Sequence, residues 1–297
     1  MHEKQKQGFG GKVFSVLNYS FFVIVVFMCI YPFWYIFVFS LSDPMEAMRG
    51  IAFLPRGLTL QNYIDVFDTP GIVRSAGISV LRTVSGTALT LIACSFFAYL
   101  MTKQKMYFRK FIYRFSVITM YFNAGLIPWF LTMRAYGLNN NFLVYIMPTA
   151  LTAFNIILIK TFIEQLPASL EEAAHIDGAG IFTVFFKVII PLSTPILATV
   201  AVFSAVAHWN AWFDNLIFMV GRPELNTLQL MLWNILDQAA AQARAIGMAT
   251  AERLARQQSP ITIRMTATMI VTFPILFVYP FAQRYFVKGI MIGAVKG

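Results

Sequence analysis

Residues 17–41 read LNYSFFVIVVFMCIYPFWYIFVFSL, without one charged side chain. An α-helix crosses a hydrocarbon core about 30 Å thick with roughly 20 apolar residues, so this run is long enough to span a membrane. It is longer than the apolar core of a secretory signal, about 7–15 residues, and no small-residue cleavage pattern follows it; the expectation is that it stays attached. Working outward, further apolar runs lie at about 76–101, 115–133, 142–163, 191–219 and 265–287. The fold class expected is an all-α integral membrane protein with six transmembrane helices in a single domain over 1–297. Composition agrees: 58% of the 297 residues are hydrophobic and 12% charged, where a soluble domain carries about 25% charge. That balance excludes a soluble enzyme, a disulfide-stapled secreted domain and a nucleic-acid binder. Cys29 and Cys94 both sit inside apolar runs and read as small buried hydrophobes.

The net charge of +10 has its explanation in the cytoplasmic excess of basic residues around membrane spans. Lys4, Lys6 and Lys12 precede the first span, Lys103, Lys105 and Lys110 follow the second, Lys160 and Lys187 bracket the loop after the fourth, and Lys288 and Lys296 lie in the tail. An even number of spans puts both termini on one side, which the lysines mark as cytoplasmic. Arginines such as Arg49, Arg74, Arg82, Arg134 and Arg222 fall outside or at the outer ends of spans by this count. Prolines interrupt five of the six runs, at Pro32, Pro128, Pro148, Pro195, Pro274 and Pro280; each frees a backbone carbonyl that protein or water must satisfy.

One cytoplasmic loop, 164–190, runs against the basic pattern, with Glu164, Glu171, Glu172 and Asp177 against Lys187 alone. Anionic headgroups would repel it, so a protein partner is its better explanation. Pro167 and a Ser169/Glu172 capping box predict a short helix over Leu170–Ile176, Gly178 and Gly180 end it, and a second helix is expected from Ile181 to Ile190, stopping at Pro191. The product is a helix–turn–helix elbow shaped to fit a groove.

The run Glu171-Glu172-Ala173-Ala174-His175-Ile176-Asp177-Gly178-Ala179, followed by Phe182, Phe186, Ile190, Pro191 and Pro195, resembles the EAA loop of permease subunits in binding-protein-dependent ABC importers. The tail, Gln283 to Gly289 with Gly293 to Gly297, is similar to that of carbohydrate-uptake type 1 permeases, on the MalG-like, LplC-like branch. The resemblance covers the whole chain except an Ala- and Gln-rich stretch around 235–258. It implies that Glu171, Glu172, Ala173, Ala174, Asp177, Gly178 and Ala179 form a coupling helix seated in a cleft of an ATP-hydrolysing subunit. It also implies a second homologous permease, two ATP-binding subunits that carry the ATP and magnesium, an extracytoplasmic solute-binding protein, and an oligosaccharide as cargo. The chain itself carries no G-x-x-x-x-G-K-[ST] sequence, the loop that cradles nucleotide phosphates, so it is expected to need no cofactor and to gate rather than hydrolyse.

Elsewhere, His208, Trp209, Asn210, Asp214 and Asn215 crowd the outer half of the fifth run. Ionisable groups at membrane depth usually face a bundle interior or a water path, so these are candidate substrate-path residues; interfacial indoles and interhelical amide bonds account for the same residues equally well. The long outer loop, 220–264, holds an amphipathic stretch Leu228–Ala255 whose Arg244, Arg253 and Arg256 are candidate contacts for the binding protein or an acidic sugar such as a uronic-acid oligomer. His2, His175 and His208 make no metal-binding pattern. An ion-gradient transporter is the competing reading; it wants paired carboxylates or broken helices near the midplane, and Asp214 is the only acidic residue well inside a run. The location expected is the bacterial inner membrane.

Overall fold

The computed structural model describes residues 9–47, 49–50, 53–246 and 260–294, with 239–246, 260 and 279–294 as backbone alone. The described chain is helical: α1 (Phe9–Ser40), α2 (Pro44–Ala47), α3 (Gln61–Phe67), α4 (Ile72–Thr102), α5 (Arg109–Thr119), α6 (Leu126–Ala135), α7 (Ala153–Ile163), α8 (Ala168–Ile176), α9 (Ile181–Val184), α10 (Ile190–Leu192), α11 (Thr194–Asn210), α12 (Phe213–Phe218), α13 (Leu228–Ile246) and α14 (Pro260–Ala294). Backbone proximity divides it into two compact units, Met1–Thr69 with Ile235–Ile270, and Pro70–Asn234 with Val271–Gly297.

In the first unit α1 is exposed along most of its length, and only Val38, Phe39 and Ser40 at its end are buried. Its apolar surface suits lipid or another membrane helix. The chain then turns through a short extended pairing of Ser42 with Leu58. Asp43 caps α2, its Oδ1 accepting from the Met45 and Glu46 amides at 2.9 and 3.2 Å. The Asn62 amide donates to the Ser40 and Ser42 carbonyls at 2.9 and 2.8 Å, which pins α3 to the end of α1.

The second unit is organised by α4. Ser75, Ser79, Arg82, Gly86, Thr90, Cys94 and Ala98 are its buried face, spaced three or four apart, so they form one stripe on a 3.6-residue helix. All but Arg82 are small, which lets neighbouring backbones approach closely. α11 answers with Val200, Ser204 and His208. At the crossing a Cβ on Gly86 would coincide with the His208 imidazole. Ile156, Ile159 and Ile163 of α7 complete a core with Cys94, Ala98, Tyr99 and Met101.

Among the described residues three helices are long and apolar enough to cross a membrane, α1, α4 and residues 261–278 of α14; a fourth crossing is counted if the segments Ile181–Leu192 and Thr194–Asn210, bent by 82°, act as one. The expected runs at 115–133, 142–163 and 191–219 are each interrupted. The first breaks at 120–125, where Asn123 Oδ1 accepts from the Gly125 amide at 2.9 Å and Gly125 has φ +86°. The second is a 3₁₀ turn at Phe142–Tyr145 and an irregular stretch before α7. The third breaks at Ala211–Trp212, where Ala211 is extended. Irregular backbone at membrane depth is tolerated where protein or a water-filled cavity covers it, and the second and third breaks line the cavity described below through Thr149, Thr152 and Ala211. The Leu228–Ala255 expectation meets α13 as far as Ile246; its remainder, with Arg253 and Arg256, lies outside the described residues, and Arg244 is described only as backbone.

Candidate functional site: the elbow and the polar cavity

The elbow forms, with different signals from those expected. α8 begins at Ala168 with Pro167 as its N-cap and no side-chain cap bond, so Ser169 stands inside the helix and the capping box with Glu172 is not made. Proline serves because its fixed φ suits the helix entrance. The C-terminus is a full Schellman closure: the Ala179 amide donates to the Ala174 carbonyl at 2.9 Å, and the Gly178 amide to His175 at 3.0 Å. Gly178 takes φ +79°, a conformation that L side chains adopt at a penalty. His175 Nδ1 donates to the Ala179 carbonyl at 3.0 Å. The second arm does not end at Pro191. It runs as α9, a π-helical segment Phe185–Ile189, and α10 through to Leu192; Pro191 sits in the first turn of α10, where a missing amide hydrogen is tolerated.

Of the seven residues singled out in this loop, Glu172, Ala173, Asp177 and Gly178 are exposed, while Glu171, Ala174 and Ala179 are half-buried. Ala174 and Ala179 pack on the α4–α7 core. Glu171 forms an ion pair with Lys103, just past the end of α4, and the Lys103 ammonium lies 3.9 Å from the centre of the Tyr99 ring. Glu171 is thus paired within the chain, while Glu172 and Asp177 are exposed. Phe96 stacks on Phe182 and meets Phe185 edge-on, with centroids 5.5 and 5.2 Å apart, and Tyr99 lies 5.4 Å from Phe185. The elbow is therefore bolted to the end of α4 by rings and one ion pair. With both partners about one-fifth exposed the pair contributes about 1 kcal/mol or less, so Lys103→Glu should lower coupled uptake only a few-fold, and adding Glu171→Lys should restore it. Failure of the exchanged pair to recover uptake would show that the two residues act separately.

The second feature is a cavity of about 310 Å³ lined by Arg82, Thr90, Thr152, Asn155, Ser204 and His208, with the Phe154 and Phe203 rings on its wall. Arg82, toward the outer end of the second run by the sequence count, is buried, 2% exposed on its side chain, and forms an ion pair with Asp214. Its Nη1 donates to Asp214 Oδ1 and to the Ala211 carbonyl, both at 3.1 Å. The guanidinium also lies 4.5 Å from the centre of the Tyr145 ring, and the Tyr145 hydroxyl donates to the Leu225 carbonyl at 2.9 Å.

The five candidate path residues separate. His208 lines the cavity. Trp209 points to the other side of α11, where its Nε1 donates to the Val271 carbonyl at 3.0 Å and it lines an apolar hollow with Val80, Val84 and Pro274. Asn210 is exposed. Asp214 reaches the cavity only through Arg82. Asn215 is buried and structural, accepting from the Thr227 amide at 2.7 Å and donating to Asn226 at 3.1 Å. The break at Ala211–Trp212 removes the four-residue helical relation of Asn210 to Asp214, and Trp212 turns away to stack on Trp233 at 5.1 Å. Arg82, Thr90, Thr152, Asn155 and Ser204 were missed by sequence; an arginine within an apolar run was the one available signal. Among the described residues no His, Cys, Asp and Glu cluster could hold a metal ion.

Comparison with known proteins agrees with this geometry. The model of the family described as binding-protein-dependent transport system inner membrane component matches residues 91–292. The chain is 37% identical to protein LplC of Bacillus subtilis over 97% of its own length and 96% of the relative's. It is 32% identical to the polygalacturonan/rhamnogalacturonan transport system permease protein YtcP of the same organism, over 96% and 99%. A solved bacterial ABC transporter involved in the import of the acidic polysaccharide alginate contains a chain that superposes with a TM-score of 0.83 at 30% identity, covering 95% of this chain and all of that one. An α4–α7–α11 bundle with an EAA elbow fixed to its end, matched over two-thirds of its length, belongs to the binding-protein-dependent transport system inner membrane components: the protein is a multi-pass permease subunit and not itself an enzyme.

Proposed function

We propose that this subunit moves an acidic oligosaccharide, a uronic-acid oligomer, through the cavity between α4, α7 and α11, while exposed Glu172, Ala173 and Asp177 seat the elbow in a cleft of one of two ATP-binding subunits. Neighbours named for polygalacturonan and for alginate handle polymers of uronic acids, which carry one carboxylate per unmodified sugar. The observation that carries the reading to this chain is the buried Arg82 on a cavity whose largely apolar wall, with two phenyl rings and two alanines, is set with hydroxyl, amide and imidazole groups. Such a lining suits hydroxyl-rich rings with apolar faces and an acid. Asp214, the acid expected to serve an ion-driven alternative, is already paired with an arginine, so the bundle offers no free carboxylate there. The complete importer assembled in proteoliposomes with a second permease, two ATPase subunits and its binding protein should accumulate trigalacturonate in an ATP-dependent manner. Uptake of neutral trisaccharides with none of trigalacturonate would remove the acidic reading.

Orientation belongs to the same proposal. Exposed Lys105, Lys110 and Arg114 follow α4 on the side that also carries the elbow, and this basic group supports a cytoplasmic orientation of that side, with both termini cytoplasmic and the 220–264 loop outside, facing the binding protein. In a chain whose native Cys29 is replaced, cysteines at Lys105 and Ser169 should react only with reagents that enter the cytoplasm and one at Val220 only from outside. Labelling of Ser169 from outside would reverse the topology.

A further inference from the structure

Arg82 has more hydrogen-bonding capacity than its surroundings use. A guanidinium carries five N–H donors in a fixed fork. Asp214 and the Ala211 carbonyl engage the two Nη atoms, while Nε is buried and has no partner among the described residues. Most buried donors are satisfied, so an unused Nε–H on an arginine that lines the cavity points to a group that completes it.

We infer that Arg82 is the residue that reads the carboxylate of the transported sugar, and that Asp214 is its resting counter-ion, displaced when the sugar's carboxylate arrives. The inference rests on the acidic-oligosaccharide reading above. A buried cation needs one anion beside it, and the exchange keeps that balance: one carboxylate leaves the fork as another enters, with Nε available as an additional donor. Asp214 is the member able to leave. Its side chain is 14% exposed against 2% for Arg82, and it sits on α12, beyond the helix break at Ala211–Trp212. Arg82 also holds the Ala211 carbonyl within that break, so the fork fastens the junction of α11 and α12 at two points. A ligand carboxylate that takes the fork releases α12 from α4, which ties occupancy of the cavity to movement of a short helix at its edge. A neutral sugar has no group that would substitute for Asp214.

The test compares Arg82→Gln, Asp214→Asn and the double variant in the complete reconstituted importer, supplied with saturating trigalacturonate-loaded binding protein. If the pair only holds the fold, the neutral double variant, which restores complementarity, regains uptake. If Arg82 reads the carboxylate, the double variant assembles and melts like the wild type yet remains about ten- to hundredfold slower, the loss expected for a hydrogen bond to a charged group. An assembled double variant with wild-type uptake overturns the inference. Should the double fail to assemble, Arg82→Lys, which keeps the charge without the planar fork, decides it: uptake lowered about tenfold in an assembled complex supports the reading, and wild-type uptake overturns it. Wild-type protein that carries no trigalacturonate at all would instead fail the parent reading, before any variant is compared.

Discussion

Gly178→Pro is expected to abolish binding-protein-stimulated ATP hydrolysis and uptake while leaving the subunit inserted in the membrane. Proline fixes φ near −65°, whereas this position holds φ +79°. It also removes the amide that donates to the His175 carbonyl. Both halves of the Schellman closure fail together, and α8 and α9 lose the angle at which they meet. Nothing lies within 4 Å of a Cβ built at Gly178, so the damage is confined to the turn and does not reach the core. That separation orders a series. Gly178→Asn should be nearly silent, since asparagine is the usual substitute for glycine at this helix end. Gly178→Ala should reduce coupling modestly, with left-handed backbone strain of about 1–2 kcal/mol, and proline should remove it. Stimulated ATPase activity in proteoliposomes, with insertion checked by protease protection, reads the series; a proline variant with intact stimulation would mean that the elbow transmits nothing.

The elbow was legible in sequence because its determinants are local. A glycine three residues past His175, an acidic run on a basic side, and prolines at 167 and 191 flanking the two arms all act within one short loop. What local sequence did not show is which face of α8 is inward. Glu171 and Glu172 are adjacent and chemically identical, and only the return of the chain at Lys103 assigns one to the interior and leaves the other free. The start of α8 shows the same limit: the Ser169/Glu172 spacing fits a capping box, yet Pro167 opens the helix one turn position earlier and the box has nothing left to cap.

The cavity was less legible, for a different reason. Hydropathy sees 191–219 as one apolar run, and no glycine or proline marks the break at Ala211–Trp212. The break is held from a distance, by the stacking of Trp212 on Trp233, by Asn215 bonded to Asn226 and Thr227, and by Arg82 on the Ala211 carbonyl. Once the helix breaks, the rule that residues four apart share a face no longer applies, and His208, Trp209, Asn210 and Asp214 scatter to separate surroundings. Arg82 was placed at an outer end because its partner Asp214 lies 132 positions away in sequence, beyond the reach of any window.

Gly86 yields the second large effect. Its place in the small-residue stripe of α4 is where α11 comes nearest, and a single Cβ there would stand within 3 Å of three atoms of the buried His208 ring. A ring held between two helices is not a flexible chain end, so the helices must part. Overpacking a close-packed interior destabilises by about 1–3 kcal/mol, and Gly86→Val, branched at Cβ, belongs at the upper end. The variant should assemble poorly with its partner subunits and melt several degrees lower in detergent. His208→Ala in the same chain vacates the space the valine needs, so the double variant should recover assembly and melting temperature. It should not recover uptake, because His208 lines the cavity proposed as the sugar path and its removal changes that wall. Recovery of stability without transport would separate the two functions of this crossing: Gly86 sets how close α4 and α11 stand, and His208 uses that closeness to face the cavity. A Gly86→Val protein with unchanged melting behaviour would mean that the two helices do not cross at this pair.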